Sequence, residues 1–377
     1  MLQPDPPHFS NICIAGLGLL GSSLAAALKS RYPSIQITGV SSPVTLKKAE
    51  TLKIIDKAES YDNIDSAVIQ SDLTLLCTPI THITGLLDKW SRNLPSFTKE
   101  CIITDVGSTK SEICSRARKA FSNQQQYKAH FVGSHPMTGS EKHGIDACDP
   151  HLFENAAWVI CPEKDCPPSI ISSLETFISG LGSMVSVLSP GIHDEVVAHV
   201  SHLPQLLSTA LAGFISRQTH VVENSLQIAG GGFRDMTRLA SSSLNVWEPI
   251  FSTNHQEISK VLSQYIHYLQ GVQEHFQKAR YQKFFEEGKT LRENLMRQRK
   301  GFATDLAEVL LLLPDRPGIL ISALKPLTTL NINIMDIEVM KVREGESGSI
   351  RLGFKNQHDA EKAVKGLKNN GFEAKIR

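Results

Sequence analysis

The sequence places glycines, serines, a histidine and arginines at spacings suited to holding a nucleotide and moving a proton. Asn11-Ile-Cys-Ile-Ala-Gly16-Leu-Gly18-Leu-Leu-Gly21 has the spacing GxGxxG. An apolar run precedes it and a helical pattern, Leu19 to Ser30, follows it, which is the context a dinucleotide-binding turn needs. Gly16 permits the tight turn, Gly18 lets the backbone approach a pyrophosphate, and Gly21 lets the helix pack on the strand. The helix start at Leu19 and Leu20 offers unpaired N–H groups to phosphate. Three further segments carry polar chemistry. They are Thr104-Asp-Val-Gly-Ser108-Thr-Lys110, Gly133-Ser-His135-Pro-Met-Thr-Gly-Ser-Glu141-Lys-His-Gly144 and Gly230-Gly-Gly-Phe-Arg234-Asp-Met-Thr-Arg238. A histidine, with an ordinary pKa of about 6.5, can accept a proton at neutral pH. An arginine grips a carboxylate through a planar fork.

The elements that must position these residues fall into three stretches, 1–188, 189–300 and 301–377. From Asn11 to about Leu188, short β-rich runs alternate with helical patterns. Ile12 to Ala15, Ile35 to Val40, Leu73 to Cys77, Cys101 to Val106, Phe131-Val132 and Ala157 to Cys161 are the strands. Such alternation predicts an α/β domain with a mostly parallel sheet. Ligands of such sheets sit at the carboxyl ends of the strands, which places Ser108 and His135 at the nicotinamide end of a bound cofactor. From about Ser189 the strand signal ends. Ile192 to Ile215 is a long helical stretch in which Pro204 predicts a kink. A second helix follows Asn254, with Ile258, Val261, Leu262, Tyr265, Leu269, Val272 and Phe276 on one face. Long helices with apolar faces pack on each other or on a second chain. Lys278 to Lys300 carries eight Lys or Arg against three acidic residues, read as a solvated helix or linker. From Ala303 the order is βαββαβ, the ferredoxin-like arrangement.

Length and composition bound the function. At about 150 residues per domain, 377 residues make two or three domains. The net charge of +1 gives no basic field for nucleic acid or an anionic membrane. No apolar run approaches the ~20 residues of a membrane helix, and Met1 to Ser10 lacks a signal-peptide pattern. Seven scattered cysteines without a CxxC pair read as reduced thiols of a cytoplasmic protein. His199 and His202, with Glu195 one turn earlier, have metal-ligand spacing, but their apolar neighbours mark a packed helix, and no metal is expected.

The second strand ends at Ser41-Ser42, without the carboxylate that holds an NAD ribose and without the arginine that selects a 2′-phosphate. NAD is the expected cofactor, with NADP not excluded. Ser41, Thr78 and Pro79 complete its expected contacts with Gly16, Gly18, Leu19, Leu20 and Gly21.

Together with the glycine turn, the motif Gly133-Ser-His-Pro-Met-Thr-Gly-Ser-Glu-Lys resembles the signature of the prephenate dehydrogenase family, which includes arogenate dehydrogenases. The likeness runs from about Asn11 to Gln282. The resemblance implies a Rossmann-type domain, a helical substrate and dimerisation domain, and oxidative decarboxylation of a cyclohexadienol by a homodimer in tyrosine biosynthesis. It implies His135 as the group that takes the hydroxyl proton and Ser108 as its hydrogen-bonding companion. Arg238 would hold a substrate carboxylate, and Glu141 would act as a gate or positioning group. Where this family often has Ser-His-Leu-Pro-His, the chain reads Ser201-His-Leu-Pro-Gln205. Gln205 can donate a hydrogen bond but cannot become cationic, which leaves prephenate and arogenate both open as substrates. A β-hydroxy-acid dehydrogenase would share the glycine turn but needs a lysine base that no motif here supplies. A non-catalytic amino-acid sensor would not need the Ser108, His135 and Arg238 set.

Leu313-Pro-Asp315-Arg-Pro-Gly318-Ile319, with the βαββαβ order, resembles an ACT regulatory domain. By that resemblance Asp315, Gly318, Ile319 and Asn331 would bind an aromatic amino acid, tyrosine foremost, for feedback control.

Overall fold

The computed structural model describes residues 9–121, 128–139, 142–218, 228–299, 306–314, 316–341 and 347–376. The chain divides into two compact units, Met1–Tyr268 and Leu269–Arg377.

The first unit opens with a sheet of eight strands: β1 (Asn11–Ala15), β2 (Gln36–Val40), β3 (Lys57–Glu59), β4 (Leu73–Leu76), β5 (Cys101–Asp105), β6 (Ala129–Pro136), β7 (Ala157–Cys161) and β8 (Met184–Val187). Their order is β3-β2-β1-β4-β5-β6-β7-β8. Strands β1 to β6 run parallel, and β7 turns antiparallel to β6. Between them run α1 (Leu19–Arg31), α2 (Pro43–Thr51), α3 (Ile64–Ile69), α4 (Ile80–Arg92), α5 (Ser111–Ala120) and α6 (Pro168–Gly180). The two-residue strand period explains both cores. Ile12 and Ile14 of β1 join Leu24, Leu28 and Phe177 on one face, while Cys13 and Ala15 join Ile83, Leu87 and Trp90 on the other. The strand order reverses between β1 and β4, so the crevice beyond their carboxyl ends is the place for a ligand.

The same unit continues with α7 (Pro190–Val197), α8 (Leu203–Ser216), α9 (Gly231–Thr237) and α10 (Leu244–Thr253). It ends within α11 (His255–Gln277). The stretch expected as one kinked helix is interrupted by a π turn, Ala198–His202, immediately before α8. Pro204 cannot donate to the carbonyl four residues earlier, and the widened turn absorbs that lost bond. Ala198, Leu203, Ile258 and Val261 form a small core, with Leu262 and Tyr265 packed against it. Farther along α11, Leu269 and Phe276 of the same predicted face are exposed.

The second unit contains α12 (Gln282–Arg299) and then β9 (Ala307–Pro314), α13 (Ile319–Thr329), β10 (Ile334–Lys341), β11 (Ser347–Phe354), α14 (Gln357–Asn369) and β12 (Glu373–Ile376). The strands form an antiparallel sheet in the order β10-β11-β9-β12. Val309, Leu311 and Leu313 alternate inward against Ala323, Leu327, Ala363 and Leu367. Arg351 of β11 is buried and bonds Glu308, Asp336 and Glu338. Among the described residues no helix is long and apolar enough to cross a membrane.

Candidate active site

The glycine turn is a cradle. Gly16 has φ +96°, a region that favours glycine, and its N–H donates to Val40 O at 2.8 Å. A Cβ on Gly21 would stand 1.9 Å from Gly16 O, so the helix meets the strand only through glycine. Around Gly18 the space is open: among the described residues, no atom beyond its own chain neighbours lies within 4 Å of where a Cβ would stand. Gly18 caps α1 without a side chain, so the first N–H groups of the helix remain available to an anion. An open turn, a bare helix start and a close helix–strand contact together fit a pyrophosphate. Leu19 and Leu20 open α1, and Pro79 is the residue before α4, next to Thr78 beyond β4. Ser41 is buried beyond β2, its N–H bonded to Glu59 O at 3.2 Å. Lys48, also close behind β2, pairs with Asp146 at 2.6 Å. We expect Gly21→Ala to weaken NAD binding at least tenfold, read by quenching of protein fluorescence. Binding within twofold of the parent would remove this turn from the cofactor site.

The second constellation lies at the ends of β5 and β6. Asp105 and Lys110 are a fully buried ion pair. Lys110 Nζ also donates to Ser134 O at 2.8 Å. Asp105 accepts from Gly107 N at 2.8 Å and Ser134 N at 3.2 Å. The Ser134 hydroxyl donates to Asp105 O at 2.7 Å and accepts from Trp158 Nε1 at 3.0 Å. These bonds fix both strand ends, with Ser108, half-buried, in the loop after β5 and His135 buried near the end of β6.

His135 Nδ1 lies 2.9 Å from His193 Nε2, and His193 Nδ1 lies 2.8 Å from Asp194 Oδ1. Asp194 in turn accepts from the backbone N–H of Lys110 at 2.7 Å and Ser111 at 2.8 Å, at the start of α5. Burial alone would raise the Asp194 carboxyl, but the hydrogen bonds from His193, Ser111 and Lys110 hold it below the ordinary carboxylate value. Burial, with His193, Lys110 and His202 nearby, holds His135 well below the ordinary imidazole value. His135 is therefore a neutral imidazole at physiological pH. With Nδ1 engaged, Nε2 is the ring nitrogen left for a substrate.

His202 stands on the π turn and packs edge-on to Trp247, ring centroids 5.9 Å apart. Its Nδ1 lies 3.2 Å from Asn254 Nδ2, which also donates to Asp194 O at 2.9 Å. Burial, reinforced by His193 and opposed by Asp194, lowers His202 to about 4. One turn on, Gln205 is buried and its Nε2 donates to Leu239 O at 2.9 Å, while Oε1 has no hydrogen-bond partner among the described residues. Leu239 is the neighbour of Arg238, so this bond ties Gln205 to the segment Arg238–Ser241. Arg238 itself is exposed, as is Arg234. His199 bonds to Glu195 O at 2.8 Å on the exposed side. Gly318, at φ +77°, caps α13 before Ile319, and Asn331 has φ +52°. Glu141 and Asp315 lie outside the described residues. Sequence reasoning missed His193, Asp194, Asp105, Lys110 and Asn254. A His-Asp pair three residues into a Pro-initiated helix was the one available signal.

Two family descriptions match. Residues 24–187 match "Prephenate dehydrogenase, nucleotide-binding domain", and residues 189–290 match "Prephenate dehydrogenase, dimerization domain". Over 360 residues the chain is 30% identical to a prephenate dehydrogenase of Bacillus subtilis, covering 93% of this chain and 94% of that protein. The chain belongs to the prephenate dehydrogenase family. Other members extend the range of substrates named within this likeness. A cyclohexadienyl dehydrogenase of Zymomonas mobilis is 30% identical over 68% of this chain and 85% of its own length. A crystal structure of Aquifex aeolicus prephenate dehydrogenase, in complex with hydroxyphenyl propionate and NAD+, superposes with a TM-score of 0.67. It is 26% identical and covers 76% of this chain and 98% of that one. Synechocystis arogenate dehydrogenase superposes with a TM-score of 0.63 at 28% identity, covering 78% of this chain and all of its own.

Proposed function

We propose that this prephenate dehydrogenase family member oxidises the ring alcohol of prephenate. A hydride leaves for the cofactor, carbon dioxide leaves the quaternary carbon, and 4-hydroxyphenylpyruvate is formed. The observation that carries this reading is His135, a buried neutral imidazole at the end of a strand of a dinucleotide-type sheet. NAD, bound at the glycine turn, supplies the hydride acceptor. His135 Nε2 takes the hydroxyl proton as the hydride leaves, and Ser108 hydrogen-bonds beside it. Arg238 holds a substrate carboxylate, and Glu141 gates or positions. Loss of carbon dioxide then sends its electron pair through the ring to the oxygen, which takes the proton back from His135 to give the aromatic phenol.

Gln205 bears on the choice between prephenate and arogenate, whose side chains differ by a keto group against an ammonium-bearing carbon. The end of β2 bears on NAD against NADP. The test is a matrix of prephenate or arogenate with NAD or NADP, each with and without tyrosine, followed at the reduced-nicotinamide absorbance. The expected result is turnover with prephenate and NAD. No reduction in any combination would favour the sensor reading.

The domain reading is 1–188 for the nucleotide, 189–300 for substrate and dimerisation, and 301–377 for regulation. The antiparallel order β10-β11-β9-β12 of the second unit supports the regulatory reading. Asp315, Gly318, Ile319 and Asn331 would receive tyrosine there. A chain lacking residues 303–377 should turn over prephenate without tyrosine inhibition. Persisting inhibition would place the effector at the active site. A homodimer through the helical region, in the cytoplasm, completes the proposal. The exposed Phe214, Ile266 and Phe276 and seven free thiols support it.

A further inference from the structure

His193 and Asp194 have no place in the mechanism above, although both are buried and in line with the proposed base. A carboxylate only accepts, so the proton between Asp194 Oδ1 and His193 Nδ1 belongs to the histidine. The His193 ring then turns Nε2 toward His135 Nδ1 across 2.9 Å. One proton lies between these two nitrogens, and its owner decides whether His135 is a base. If His193 held it as well as the hydrogen on its Nδ1, His193 would be an imidazolium, and the neutral His135 ring would carry its hydrogen on Nε2 with no lone pair there for substrate. If His135 holds it, Nε2 is bare.

We propose that His193, oriented by Asp194, is the positioning residue that fixes His135 in its Nδ1–H tautomer and so makes Nε2 the proton acceptor. The two backbone N–H bonds from Lys110 and Ser111 hold the Asp194 carboxylate still. The ring centroids are 5.1 Å apart with the nitrogens 2.9 Å apart, so the two nitrogens point at each other nearly along the line of centroids and His193 offers its in-plane lone pair rather than its face. When His135 Nε2 takes the substrate's hydroxyl proton, His135 becomes an imidazolium whose Nδ1–H still donates to His193. Asp194, one ring further on, stabilises that positive charge. No proton needs to pass to Asp194, whose carboxyl is a weak acceptor in this setting. The proposal rests on His135 being the base.

The test uses the full chain with NAD. In protein labelled with 15N-histidine, nitrogen–proton correlation spectra should show His135 bare at Nε2 and protonated at Nδ1. In Asp194→Asn the amide N–H2 must face a backbone N–H, that of Lys110 at the Oδ1 position or of Ser111 at Oδ2, so the anchor that keeps the hydrogen on His193 Nδ1 is weakened. The spectrum should show His135 losing its exclusive Nδ1–H form, with an Nε2–H form appearing. Turnover should fall on the order of 100-fold, with substrate KM and NAD affinity each within about threefold. His193→Gln keeps an oxygen acceptor for His135 Nδ1–H but loses the tie to Asp194, and should fall about tenfold. The acid limb of kcat/KM should also move down in Asp194→Asn, since an anion that favours the imidazolium is gone. The charged and titratable groups around His135 that set this limb are His193, Asp194, His202, Lys110 and Asp105.

A wild-type His135 protonated at Nε2, or both variants within threefold of the parent kcat, would overturn the proposal. If Asp194→Asn loses NAD affinity, the wild-type tautomer and His193→Gln still decide. Full activity in His135→Asn would instead remove the base assignment itself. An inactive His135→Asn beside active dyad variants would remove only this inference.

Discussion

Replacing His135 by Asn should lower kcat by about three orders of magnitude and leave NAD affinity within twofold. A positioned general base is worth roughly 10²- to 10⁴-fold, and in the proposed reaction abstraction of the hydroxyl proton is the step given to His135. Asn is close to the imidazole in reach and can still bond to His193, so the buried surroundings of β6 are kept while the acceptor at the Nε2 position is lost. Substrate KM should change little, because the proposed site gives carboxylate binding to Arg238. The pH profile separates the two proteins. In the parent, burial and the neighbouring Lys110, His193 and His202 hold His135 well below the ordinary imidazole value. The base form therefore persists as pH falls through 7, and kcat/KM should drop only at more acid pH. In His135→Asn that acid limb should vanish from the residual rate. Parent-like turnover, or an unchanged acid limb, would exclude His135 as the base.

What the sequence disclosed depends on how local the signal was. The glycine turn is legible because one short segment holds all three glycines, and the contact of Gly21 with Gly16 lies within it. His135 and Ser108 are legible as strand-end residues because the βα alternation places them at one edge of the sheet. The partners of His135 are not legible, because His193 lies 58 residues away and meets it only after the chain has left the sheet. Asp194 is hidden for the same reason, since its bonds to Lys110 and Ser111 span 84 and 83 residues. Pro204 correctly signals a disturbance, but the residue pattern cannot tell a kink from the π turn that places His202 beside Trp247 and Asn254. In the second unit, Val309 to Leu313 reads as an unbroken apolar run, whereas only alternate residues are fully buried, with Leu312 facing out. Strand pairing, not composition, supplies that distinction.

Lys110→Met should cost about 3–5 kcal/mol of stability, the usual price of leaving one partner of a buried ion pair behind. Both side chains of the Asp105–Lys110 pair are fully buried, so no water replaces the lost ammonium. The melting temperature should fall by on the order of 10 °C. The loss should depend on pH in a defined direction. Burial pushes the Asp105 carboxyl above its ordinary value, and the Lys110 ammonium holds that rise in check. Without Lys110, folded Asp105 keeps a proton that the unfolded chain releases above its ordinary pKa of about 3.9. A group whose folded value is raised in this way loses stability as pH climbs from the unfolded value to the folded one. The deficit against the parent should therefore grow as pH rises above the unfolded value, and should be larger at about pH 8 than at about pH 5. Asp105→Asn in the same chain should restore much of the loss, because a neutral amide can still accept from Gly107 N or Ser134 N and leaves no charge to bury. Activity should separate from stability. Even below its melting point Lys110→Met should turn over more slowly, since Nζ also holds Ser134 O, one residue before His135. A single variant as stable as the parent at both pH values would mean that Asp105 carries no charge in the folded protein.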